Sequence, residues 1–468
     1  MVSETKSAGA KRGERGIGLA LGAVLVVGVV MTERALGEAP FDAPPLAVFE
    51  TLLGLLVFAG VGRIALSLLP AGSIGSHRPR ELGTTWATSH LLGVSALGFT
   101  NIALSSGPGA ALVDLLGRPL ALVVPWLVVL GVRVLFLPGA IVPGHEHTRE
   151  RATGLARFLP HLFVLAALSL LRAVSAAPAE PAVDLSHTFL GEACSAYFSG
   201  ASLVSPVFAW ASWVALVLLV LHGLESARRS PALRWALGLA LLVTPFAAVS
   251  IASSSGELLC AMFLGGGAAF ALSWLRHGDR RSAALAVIAF LSQILCSWNG
   301  LNLAAAAIVV LVFMTPAVSR KTLALRAGIA WLCAWPIAGQ ITHQLGEALY
   351  DWPAAGLIER LLHAFHPIEF GVLVPVLLVL GFRGWRARAT HPPHATEPIA
   401  KPPERELNFV LLLLALAFLA LRFSFVWLPE GASDELRLET WANLANLILL
   451  PLVALAAGLL AIPGERTR

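Results

Sequence analysis

Charge is what this chain has least of. Only 13% of its 468 residues are Asp, Glu, Lys or Arg, against roughly a quarter in soluble globular proteins. Hydrophobic residues make up 57%, and the mean hydropathy is +0.78. An ordinary soluble fold is excluded by that balance. Cysteine is scarce as well: there are four, none in a Cys-x-x-Cys pair, which excludes a cysteine-based zinc motif and a disulfide framework. Cys194 and Cys296 fall near the outer ends of apolar runs. They either pair in an oxidising periplasm or stand as isolated small apolar residues, a common role for cysteine. Strict apolar/polar alternation is missing too, so barrel strands are excluded and the Leu/Ala/Val-rich runs read as helices. The formal net charge of +5 does not point to nucleic acid, because the positive residues sit in loops beside apolar runs, where membrane topology explains them.

What is present is a series of apolar runs, most of them long enough to cross a bilayer, which takes about 20 residues per helix. Fourteen spans are expected, at 16–32, 47–69, 84–106, 119–142, 157–177, 203–223, 235–253, 257–275, 282–297, 300–317, 327–346, 367–383, 407–426 and 441–462. With the N-terminus inside, the outer loops hold four of the 33 Lys and Arg residues: Arg34, Arg118, Arg360 and Arg437. Arg63, Arg133, Arg172 and Arg422 lie within spans, and the other 25 are inner. Lysine and arginine accumulate on the cytoplasmic side, so the fold expected is all-α: a polytopic membrane bundle of about 14 transmembrane helices with both termini cytoplasmic. The first run follows Lys11, Arg12 and Arg15, and its exit at Met31-Thr-Glu-Arg has no small-residue cleavage site. It reads as an uncleaved anchor. The chain divides into a four-helix region (1–150), a core (151–383), a Pro-rich cytoplasmic linker (384–406) and a two-helix region (407–468).

Acidic residues favour the opposite face, and Asp184, Glu192, Glu257, Glu347, Asp351 and Glu359 are among those placed at outer positions. Insertion does not require this bias. It marks either a solvated face or a catalytic or cation-binding one. Trp352–His366 reads as an amphipathic helix lying on the membrane, in which Glu359, His363 and His366 are either metal ligands or plain interfacial side chains. Loop 178–202 brings Asp184, His187 and Glu192 together in a segment otherwise poor in charge. A carboxylate beside a histidine at the membrane boundary serves as a general base or holds a divalent cation; alternatively, Asp184 only caps a helix. Arg172 lies directly below this loop and either snorkels outward or serves the site. Gly265-Gly-Gly, inside a span and without a following lysine, reads as a helix-packing surface rather than a phosphate loop. Trp298-Asn-Gly reads as a tight turn.

In order along the chain, several landmarks resemble the polytopic glycosyltransferases of the GT-C superfamily. Val183-Asp-Leu-Ser-His stands where that family has its first outer catalytic loop, and Ser254-Ser-Gly-Glu-Leu-Leu-Cys-Ala stands where it has a second outer acidic site. Arg276-His-Gly-Asp-Arg-Arg supplies the basic inner turn, and Cys296-Ser-Trp-Asn-Gly-Leu occupies the place of its Lys-x-x-Gly segment. The closing Leu436–Leu452 segment is similar to the family's Arg-Leu-Leu-Leu-x-x-x-Pro ending. The resemblance covers about 150–462. It departs from the family pattern in the spacing of His187, in Glu for Asp at 257 and in the missing lysine near 297. It implies transfer of a sugar from a polyprenyl-phosphate donor to an envelope glycan, lipid or protein acceptor at the periplasmic face. Asp184 would be the base, His187 or Glu192 would assist, and Glu257 would be the second acidic site. Arg172 or Arg360 would hold lipid phosphate, and Asp184 with Glu257 would hold a divalent cation (Mg or Mn) where one is used. The competing expectation is a non-catalytic relative or a transporter acting in envelope assembly.

Overall fold

The apolar runs become helix wherever the chain is described. The computed structural model describes residues 45–69, 82–105, 107–136, 158–176, 204–226, 231–244, 251, 256–296, 298–315, 320–321, 324–325, 328–329, 332, 404–421 and 434–461. Met1–Val48 forms one unit and Phe49–Arg468 a second, which contains every tertiary contact given below. The helices in chain order are α1 (Pro45–Leu68), α2 (Leu82–Leu104), α3 (Gly107–Leu116), α4 (Arg118–Phe136), α5 (Leu159–Ala176) and α6 (Val204–Ser226). After these come α7 (Pro231–Leu242), α8 (Gly256–His277), α9 (Arg280–Ser292), a 3-10 turn at Gln293–Leu295, α10 (Trp298–Met314), α11 (Glu404–Leu421) and α12 (Asp434–Leu460). Every regular element among the described residues is helical, which fits an all-α, multi-pass membrane protein. Three described helices are long and apolar enough to cross a membrane, or four if the bent pair α3–α4 is one span. The expected spans 16–32 and 367–383, residues 384–403 of the linker and the interfacial segment 352–366 lie outside the described residues, while the linker's last three residues, Glu404–Glu406, open α11.

One stretch taken as a loop is structured. Residues 107–116 form α3, which meets α4 at 110°. The corner is Gly117, at φ +76°, a left-handed conformation that costs glycine little. Its N–H donates to the Val113 carbonyl at 2.8 Å and closes α3.

α8 is the hub, packing against α6, α9 and α12 and also touching α10 and α11. Its three consecutive glycines explain how one helix serves so many neighbours. A Cβ at Gly265 would lie 2.5 Å from Leu216 of α6 and 2.7 Å from Pro451 of α12. At Gly266 it would meet Leu91 of α2 at 2.6 Å, and at Gly267 the Phe290 ring of α9 at 2.5 Å. Each missing side chain leaves room for a neighbour's, the means by which small residues bring membrane helices close. The packing-surface expectation for this triplet therefore describes the structure. α1 and α2 cross more tightly still, with Gly62 against the Ser89 carbonyl and Gly93 against that of Phe58.

Arginines close the helix ends on one face. The last carbonyls of a helix have no partner within it and carry partial negative charge. Arg281 donates Nη2–H to the Leu66 carbonyl at 3.1 Å, and Arg405 donates to that of Met314 at 2.7 Å. Arg320 donates to those of Thr315 (3.1 Å) and Phe313 (3.3 Å). Arg276 pairs with Glu406 at 4.0 Å, and Arg234 with Glu225 at 3.4 Å. These bonds join residues that the charge count assigns to the same side. Between α8 and α9 the turn follows from sequence: Gly278 takes φ +68°, and Asp279 accepts hydrogen bonds from the N–H groups of Arg281 and Ser282, capping α9.

Large apolar side chains also face outward along the bundle. Leu120, Leu127, Val128 and Val132 of α4 are exposed, as are Leu162 and Leu165 of α5 and Leu411, Leu412 and Leu419 of α11. Soluble monomers rarely expose contiguous apolar strips of this kind, whereas a hydrocarbon surround accommodates them.

Candidate functional site at the acidic end of the bundle

α8 begins at Gly256, which puts Glu257 in its first turn, partly buried. A carboxylate is favoured there by the positive end of the helix dipole. One turn further, the Cys260 thiol reaches the Gln293 carbonyl at 4.0 Å. That carbonyl is a meeting point. α9 tightens into the 3-10 turn here, and the Cys296 N–H donates to the same oxygen at 3.1 Å. Gly300, in the first turn of α10, approaches it so closely that any Cβ would overlap it. The two segments that the resemblance sets apart in sequence, around 257 and 296, thus lie side by side.

Polar side chains are buried in this corner. Gln293 is fully buried; its side-chain N–H donates to the Phe290 carbonyl at 3.1 Å, while its Oε1 has no hydrogen-bond partner. Ser292 Oγ lies 2.8 Å from Ser95 Oγ of α2 and 2.7 Å from the Ile288 carbonyl. Ser95 in turn donates to the Leu91 carbonyl at 2.9 Å. An orphaned buried amide oxygen costs about 1–3 kcal/mol.

A second polar cluster sits deeper on α2. His90 is fully buried, with Nε2 at 3.1 Å from Ser212 Oγ of α6 and Nδ1 without a hydrogen-bond partner. Trp86 stacks on its ring at 5.4 Å, and Phe208 and Phe58 lean against it at 5.7 and 6.4 Å. Towards the other end of α2, Trp126 of α4 donates to Thr100 at 3.0 Å. Most other hydroxyls are satisfied locally: Thr88, Thr100 and Thr315 donate to carbonyls four residues earlier, as hydroxyls within apolar helices commonly do.

Of the residues singled out in the sequence, Glu257 and Arg172 fall in described helices. Arg172 lies in the last turns of α5 with its side chain exposed, as snorkelling requires. α5 and α8 both pack against α6. Asp184, His187, Glu192, Arg360, Cys194, His363 and His366 lie outside the described residues. Cys296 is a buried thiol whose Sγ lies 4.0 Å from the Ser292 carbonyl. The turn expected at Trp298-Asn-Gly falls earlier, at Gln293–Leu295, and Trp298 already opens α10. No group of three or more His, Cys, Asp and Glu residues is arranged for a metal among the described residues.

The sequence reading passed over Ser95, Ser292, Gln293, His90 and Ser212. One signal was there to find: α2 is the least apolar of the three long spans, yet Thr84, Thr88, Ser89, His90, Ser95 and Asn101 are all buried. Compared with known proteins, the chain matches no family model, no curated protein and no solved structure.

Proposed function

We propose that the chain is a GT-C-like glycosyltransferase of the bacterial inner membrane that moves a sugar from a polyprenyl-phosphate donor to an envelope acceptor on the periplasmic side. One observation carries the reading. Glu257 opens the hub helix beside the polar turn at Gln293, at the end opposite the arginine-capped carbonyls. In the mechanism, Asp184 takes the proton of an acceptor hydroxyl, assisted by His187 or Glu192. The resulting oxygen attacks the anomeric carbon as the bond to the lipid phosphate breaks. The phosphate leaves with its charge held by Arg172 or Arg360, since a guanidinium matches its geometry. Glu257 binds sugar or acceptor hydroxyls. Where a divalent cation takes part, Glu257 and Asp184 would help to hold it; hard cations require several oxygen ligands.

The test is transfer of radiolabelled sugar from polyprenyl phosphate in membranes holding the wild-type chain, Asp184→Ala or Glu257→Gln. Loss of a general base lowers the rate by about 10²–10⁴-fold, and that is the loss expected for Asp184→Ala. A smaller loss is expected for Glu257→Gln. Equal transfer by wild type and Asp184→Ala removes Asp184 as the base, and no transfer by the wild type from any polyprenyl-linked sugar removes the reading.

A second reading, a transporter, is favoured by the buried polar seam along α2, since polar groups within a span mark solute or ion pathways. It differs in its readout: solute would accumulate in sealed vesicles without formation of any glycoside.

A further inference from the structure

We infer that the arginine-rich face holds an anionic phospholipid, with its phosphate at Arg320, Lys321 and Arg405 and its acyl chains along the apolar strip beside them. Two guanidiniums meet at one helix end, and a lysine follows one of them in sequence. Arg320 is fixed by its bonds to the Thr315 and Phe313 carbonyls, and Arg405 by its bond to that of Met314. Both therefore sit at the C-terminus of α10, and Lys321 follows directly in sequence. All three side chains are exposed. Of the two carboxylates that flank Arg405, Glu406 pairs with Arg276, and with Glu404 counted the three cations still leave a local positive excess. Each guanidinium carries five N–H donors; Arg405 makes one bond to a carbonyl and Arg320 three, so donors remain for phosphate oxygens.

Exposed apolar side chains adjoin the cations. The described positions after Lys321 recur at helical spacing, and Leu325, Ile329 and Leu332 are 65%, 53% and 65% exposed. Phe313 of α10 is 67% exposed at the level of the cations. A strip that starts with two cations and continues as leucine and isoleucine faces headgroup first and hydrocarbon after. The charge of the cluster selects an anionic headgroup over a zwitterionic one. This site does not depend on the transferase reading.

The experiment is native mass spectrometry of the full chain purified from membranes, then incubated with phosphatidylglycerol or phosphatidylcholine. The wild type is expected to retain phosphatidylglycerol preferentially. Juxtamembrane basic residues contribute about 1 kcal/mol each, so Lys321→Gln should weaken retention about fivefold and Arg320→Gln/Lys321→Gln further. Arg280→Gln, an exposed cation on the same face, should leave it unchanged. Among the described residues Lys321 makes no bond to a helix carbonyl, so its variant is expected to keep the fold even where Arg320→Gln does not. Equal retention of the two lipids, unchanged retention in Lys321→Gln, or an equal loss in Arg280→Gln would overturn the site.

Discussion

At the residue scale, the His90–Ser212 pair shows how a membrane interior turns a small bond into a specific one. The imidazole sits among Trp86, Phe58 and Phe208, where water cannot replace a lost partner. Ser212→Ala leaves both ring nitrogens unpartnered and should cost about 1–3 kcal/mol, read as earlier unfolding in a detergent titration. Replacing the histidine as well, His90→Phe with Ser212→Ala, removes the orphaned polar group and should recover part of that loss. Additive losses in the double variant would show that the bond itself carries no coupling. The pair was hard to see in the sequence for a physical reason. Full charges are rare in spans and draw attention, but a neutral histidine between Ser89 and Leu91 leaves no mark on periodicity. Its serine is 122 residues away, and only folding brings them together.

At the scale of elements, helix crossings are set by what glycine omits. Gly62 and Gly93 press on backbone carbonyls of the opposite helix, which cannot rotate aside. Gly266 presses on the ends of Leu91 and Leu219, at 2.6 and 3.0 Å, and these can. Overpacking typically costs about 1–3 kcal/mol. Gly93→Ala should therefore fall at or above the top of that range and Gly266→Ala near the bottom. Thermal unfolding of the two variants checks the order, and equal shifts would contradict it. Much at this level was legible: apolar run length gives α2, α6 and α8 to within a few residues, and Gly265–Gly267 reads correctly as a packing surface. α3 was not, because Gly107-Pro-Gly at its start carries the composition of a loop. There Pro108 sits in the first helical turn, where the missing N–H costs nothing. The 3-10 turn at Gln293 was hidden for the opposite reason, as Gln293-Ile-Leu is composed like the helix it ends.

For the whole molecule, sidedness decides whether the proposed chemistry is possible. The 25-to-4 division of Lys and Arg between the loops expected to be inner and outer matches an energetic preference that acts during insertion. The bonds of Arg281, Arg405 and Arg276 then tie residues of the favoured side to one another across helices. If that side is cytoplasmic, Glu257 and loop 178–202 face the periplasm together, where polyprenyl-linked sugars would be used. The arrangement is checked by fusing alkaline phosphatase after position 190 and after position 395, since the enzyme is active only when exported. Activity is expected at 190 and none at 395, with a fluorescent cytoplasmic reporter giving the reverse. Activity at 395 with none at 190 would turn the bundle over. It would place Asp184 and Glu257 against the cytoplasm and remove the transferase reading, while leaving the packing around α8 untouched.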